Sequence, residues 1–137
     1  MHVSVAVVRK GSGKPLLLIH GSAADHSTWN VQLSSLAADF EMLAIDRNPR
    51  TGHSVQDHAD DAAELLASEV TGPCAVVGSS FGGAVALDLA RRHPDLVSHL
   101  FICEPPLASS DWAPPVPTGF ACHFDAIATQ ESGEAAA

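Results

Sequence analysis

The sequence predicts an α/β fold: three layers, α/β/α, around a mostly parallel sheet of about five strands. Two observations predict it. Short continuous apolar runs of strand length, the kind found in buried strands, alternate with longer stretches whose apolar residues recur every three or four positions. The alternation is regular, and parallel neighbours need the crossover connections that such helices provide.

Val3 to Val8 suits a first strand, closed by the turn formers of "KGSGKP". "LLLIH", from Leu16, is a second strand of the buried kind. In "STWNVQLSSLAADF", Trp29, Leu33, Leu36 and Phe40 fall on one helical face. "EMLAID", Glu41 to Asp46, is the third strand, and "RNPRTGH" is a loop. Ser54 and Asp57 then fit a capping box, and Asp57, Asp60 and Asp61 occupy first turns where the helix dipole favours negative charge. That helix turns Ala59, Ala62, Ala63, Leu66 and Val70 inward, and Gly72-Pro73 ends it. "CAVVG" is the fourth strand. "FGGAVALDLARRH" is the next helix, stopped by Pro94, and "LVSHLFIC" is the fifth strand. After Cys103 the pattern breaks into "EPPLASSDWAPPVPTG", a proline-rich loop, and "FDAIATQESGEAAA", a weak helical pattern.

Charge and cysteine usage narrow the partners. A net charge of -9 with only seven Lys and Arg argues against nucleic acid and anionic membrane surfaces, which need clustered cations. Cys74, Cys103 and Cys122 form no CxxC, so neither a disulfide framework nor a zinc knuckle is expected, and a reduced cytoplasmic location fits. The N-terminus lacks a signal-peptide pattern, and no apolar run approaches the ~18 residues of a membrane span. His53, Asp57, His58 and Asp61 do not close a compact ligand set, His58 being placed on a solvated acidic turn; no metal is expected.

The chemistry gathers at one joint. Gly78-Ser79-Ser80-Phe81-Gly82 is a G-x-S-x-G pattern lying between a strand and a helix. In such an elbow the serine sits on a strained turn with its hydroxyl above the sheet, and Gly78, Gly82 and Gly83 let strand and helix close in. The helix N-terminus behind Ser80 favours a developing oxyanion. His20-Gly21 stands at the end of an early strand, where a backbone N–H can join that of Phe81 in holding a carbonyl oxygen.

With "HGS", "DRNPRTGHS", "GSSFGG" and "EPP" in this order at strand ends, the chain resembles the α/β-hydrolase superfamily from Val3 to about Leu107. Within it, "RRHPDLV" and "EPPL" look like the small esterases and haloperoxidase-like hydrolases. The resemblance implies a strand order of 2-4-3-5-6 in the family's count, where this chain's first strand is the second. It implies a hydrolase of a small ester or similar acyl substrate, without organic cofactor. Ser80 would be the nucleophile, the N–H groups of Ser22 and Phe81 the oxyanion hole, and His20, Gly21, Gly78 and Gly82 the structural residues around them.

The chain departs from the family where the acid and the histidine are due. They usually follow strands seven and eight, and the two strand-helix units that would carry them need on the order of 60 further residues. Glu104, at the end of the strand after the nucleophile's, is a candidate acid; its other reading is a strand-end carboxylate bonding loop backbone. Among the histidines only His123 lies in a segment free to swing toward Ser80. Residues 1–107 are thus expected to form the N-terminal part of a hydrolase domain, and 108–137 a proline-rich loop and the start of a cap-like helical segment. The expectation is a truncated hydrolase, weak or inactive as this chain alone. Two alternatives stand beside it: an inactive binding module that keeps the elbow, and a chain active only when another chain completes it. Self-association through the exposed sheet edge belongs to the last.

Overall fold

Residues 5–48 and 52–106 are described by a computed structural model, in which the apolar runs become five strands. They are β1 (Ala6–Lys10), β2 (Lys14–Ile19), β3 (Phe40–Asp46), β4 (Cys74–Ser79) and β5 (Val97–Cys103). The sheet order is β1-β3-β2-β4-β5, parallel throughout except for β1, which runs antiparallel to β3. The expected 2-4-3-5-6 counts one strand ahead; in this chain's own numbers the neighbours are those just given. β1 runs past its expected end at Val8, because Arg9 and Lys10 still pair with Leu43 and Met42. Residues 107–137, including the cap-like segment and His123, lie outside the described residues.

Alternate side chains of the central strands feed two separate cores. On one face Leu17, Ile19, Leu43, Ile45 and Val76 pack with Ala62 and Leu66 of α2 (Val55–Glu69) and with Val85 and Leu89 of α3 (Phe81–Arg92). On the other, Leu16, Leu18, Met42 and Ala44 meet Trp29 and Leu33 from a 3₁₀ turn (His26–Trp29) and α1 (Asn30–Ser35). The helix expected to reach Phe40 stops at Ser35. Leu36 and Phe40 still pack on the second core, so their spacing records burial, while Phe40 itself opens β3. α1 is short, and among the described residues no helix covers β4 and β5 on this face. A groove of about 770 Å³ remains there, floored by Ala75 and Val77 and walled by Leu36, Phe40 and Phe101.

The expected capping box is present at the start of α2. Ser54 Oγ accepts from the Asp57 N–H at 3.1 Å, and Asp57 Oδ2 accepts from the Ser54 N–H at 2.8 Å. The Ser54 N–H and hydroxyl, both donating to Asp57 Oδ2, hold its carboxyl below its ordinary range. Val70 lies just past the helix as its C-cap and still packs on the core.

Arg92 fastens α3 to α2, donating to Asp88 at 2.7 Å, to Asp60 at 2.7 Å and to the Gln56 carbonyl at 2.9 Å. Burial pushes the Asp88 carboxyl up, but hydrogen bonds and charge from Arg92 and Arg91 outweigh it, leaving Asp88 below its ordinary 3.8. A depressed folded value means stability that is present above the unfolded value and lost as pH falls through the folded one. The thermal midpoint should therefore drop as pH falls below 3.8. Asp88→Asn should start lower at neutral pH and lose less on acidification. A midpoint in Asp88→Asn that falls as steeply as the parent's would remove Asp88 as a source of acid sensitivity.

Candidate active site

The turn that carries Ser80 follows from where β4 and α3 end. β4 finishes at Ser79 and α3 opens at Phe81, so Ser80 alone makes the reversal, at φ 52° and ψ -121°. Few side chains adopt that backbone, and holding it costs on the order of 1–3 kcal/mol. The surroundings hold it. The Ser80 N–H donates to the Cys103 carbonyl at 2.8 Å, and the Ser80 carbonyl accepts from the N–H of Gly83 at 2.8 Å. The glycines supply the room: a Cβ on Gly78 would overlap the Gly82 carbonyl, and one on Gly82 would overlap the carbonyls of Ile19 and His20. α3 thus begins with its backbone against the end of β2.

That contact brings the loop after β2 to the serine. Gly21 lies so near that a Cβ there would be 3.2 Å from the Ser80 Cβ, and Ala23 also takes a left-handed φ of 51°. His20 is buried, its Nδ1–H donating to the Gly21 carbonyl at 2.8 Å while Nε2 accepts the Arg47 N–H at 3.0 Å. Both bonds together require the neutral ring with its proton on Nδ1. Both ring nitrogens of His20 are thus occupied by hydrogen bonds.

Arg47 opens the stretch "RNPRTGH", which the sequence reads only as a loop. It is buried at the end of β3, where Nη2 donates to the Gly21 carbonyl at 2.8 Å and Nε to the His20 carbonyl at 3.2 Å. Its guanidinium carbon stands 4.6 Å above the centre of the Phe81 ring. His58 was placed on a solvated turn; instead it is buried, with Nε2 3.4 Å from Arg47 Nη1 and its ring edge-on to Phe81. Its position one helical turn before Ala62, on the buried stripe of α2, was the signal that could have found it.

The remaining candidates make no side-chain hydrogen bond to Ser80 among the described residues. Glu104 follows β5 at φ 49°, exposed, and its side chain makes no hydrogen bond or ion pair to a described residue. The other described histidines each stand near a polar side chain. His26 donates to Asp46 from Nδ1 at 2.9 Å, His53 Nε2 is 3.3 Å from Asp61, His93 Nε2 is 3.5 Å from Asp60, and His99 bonds Ser98 at 3.2 Å. Burial pushes the Asp61 carboxyl up against the opposing pull of His53. Asp25, His26 and Asp46, not the His53 group, bring possible ligand atoms within 4.8 Å of one another among the described residues. His2 and His123 lie outside those residues.

What the described residues assemble is a strained serine, a helix N-terminus behind it, and a loop pinned against it by Arg47 and His20. The model of the alpha/beta hydrolase family matches residues 16–135. An uncharacterized hydrolase, YraK, of Bacillus subtilis is 36% identical over 107 residues, which are 72% of this chain and 39% of that one. A pimeloyl-[acyl-carrier protein] methyl ester esterase of Vibrio atlanticus is 38% identical over 93 residues, 66% of this chain and 36% of that one. Among solved structures, the epoxide hydrolase CorEH superposes with a TM-score of 0.75 at 28% identity, covering 88% of this chain and 45% of its own. The chain thus spans about two-fifths of the length of the relatives it matches.

Proposed function

Since the chain belongs to the alpha/beta hydrolase family, we propose that it hydrolyses a small ester or similar acyl substrate with Ser80 as nucleophile. The observation that carries this reading is the Ser80 backbone, held at φ 52° against Gly21 by bonds from two sides. Strain of this kind persists where the surroundings over-determine it, and it presents the hydroxyl at the carboxyl edge of the sheet. Ser80 Oγ attacks the acyl carbonyl and gives its proton to a base. The N–H groups of Ser22 and Phe81 take the oxyanion, and the alcohol leaves with the proton. Water then releases the acid by the same steps. An ester substrate agrees with the esterase among the relatives.

Among the described residues no histidine is hydrogen-bonded to Ser80, and we place the base outside them. The acid proposed to orient that base is Glu104. No described helix is long and apolar enough to cross a membrane. The free thiols Cys74 and Cys103 fit a reducing cytoplasm. The proposed protein partner is a second copy, seated on β5.

A fluorophosphonate probe tests the reading, with mass spectrometry to locate the adduct. The label is expected on the peptide holding Ser80, slowly for the chain alone, and is expected to vanish in Ser80→Ala. A chain that takes no label, or takes it equally at other serines, defeats the proposal.

A further inference from the structure

We propose that Arg47 is a positioning residue for the oxyanion hole: it fixes the Gly21–Ser22 peptide so that the Ser22 N–H faces Ser80. The inference rests on the reading of Ser80 as nucleophile and Ser22 as oxyanion donor. Its physical basis is the planarity of the peptide. In a trans unit the carbonyl and the following N–H point in opposite directions, and no described peptide is cis. The Gly21 carbonyl is gripped by two donors, Arg47 Nη2 at 2.8 Å and His20 Nδ1 at 2.8 Å. With the oxygen drawn to the Arg47 side, the Ser22 N–H is turned to the other side. Gly21 itself abuts Ser80.

The same guanidinium holds the neighbouring peptide, through Nε on the His20 carbonyl at 3.2 Å, so the loop is clamped at two successive oxygens. It also stacks 4.6 Å over Phe81, the residue whose N–H is the other proposed donor. One planar cation therefore touches both halves of the hole. A lysine could supply the charge but not two N–H bonds in a fixed fork together with the stacked face. His58 backs the arrangement, with Nε2 3.4 Å from Arg47 Nη1 and its ring against Phe81. The buried charge also places positive potential behind the carbonyls, on the side away from the developing oxyanion.

Two measurements on the full chain decide it. The first is structural: a nuclear Overhauser contact between the Ser22 amide proton and the Ser80 β protons, expected in the parent and lost in Arg47→Met. The second is kinetic: the maximal rate of fluorophosphonate labelling at Ser80 should fall about 100-fold in Arg47→Met, the loss associated with a misplacement on the order of 1 Å. Probe affinity should hardly change, and Arg47→Lys should recover only part of the rate. Loss of the contact with a slowed rate and retained affinity supports positioning. Absence of the contact in the parent, or its survival with an unchanged rate in a folded Arg47→Met, overturns it. Should Arg47→Met fail to fold, Arg47→Lys takes its place, and full contact and rate in that variant overturn the clamp. If the parent does not label at all, the nucleophile reading falls, while the Overhauser contact still decides where the Ser22 N–H points.

Discussion

Gly82→Ala should destabilise the protein by about 3 kcal/mol or more, the upper range for overpacking, and should disturb the Ser80 turn with it. The added methyl would meet the carbonyl oxygens of Ile19 and His20, which are backbone atoms of β2 and of the loop that follows it. A flexible side chain could swing aside; a strand held between β3 and β4 cannot. Gly72→Ala gives the comparison. Gly72 has a φ of 81° but open space around it, so the change there carries only the left-handed penalty of about 1–2 kcal/mol. Denaturant midpoints of both variants, with the rate of probe labelling, measure the difference. A Gly82→Ala variant no less stable than Gly72→Ala would mean that α3 can slide from β2 at little cost.

Phe101→Lys should convert a concentration-dependent associating species into a monomer. The two edges of the sheet differ in charge. β1 carries Arg9 and Lys10, and Arg9 is engaged with Glu41 at 3.3 Å and Glu69 at 2.7 Å, so charge guards that edge. β5 reads Val-Ser-His-Leu-Phe-Ile-Cys, with no Lys, Arg, Asp, Glu or Pro. Its outer side pairs with no described strand, and Phe101 is 66% exposed beside the open groove. An unguarded apolar edge is a template for another strand, and the nearest identical one belongs to a second copy. Light scattering across a dilution series should show association in the parent and its loss in Phe101→Lys. A parent with a sharp, reversible thermal transition at low concentration and no association would end this view of the edge.

The sheet was legible because continuous apolar runs and helical stripes report burial, and burial is what the fold arranges. The Ser54 and Asp57 cap and the Gly78 to Gly82 joint were legible for a different reason: their geometry is local, set within five residues. Phe40 misled because burial on the second core repeats at helical spacing whether or not the chain is helical there. Arg47 and His58 were missed for the opposite reason. Their roles depend on the Gly21 carbonyl and the Phe81 ring, partners remote in sequence that only the folded sheet brings together. The base was not legible at all, since a proton acceptor is defined by its distance to Ser80 and no local pattern encodes that.

The hydrogen bond from Ser80 to Cys103 bears on the order in which the chain is made. The serine's amide is held by the last residue of β5, which leaves the ribosome well after the elbow itself. Until that strand docks on β4, nothing in the emerged chain fixes the turn from that side, and the strained backbone is free to relax. The proposed nucleophile therefore gains this support for its strained backbone only when β5 docks.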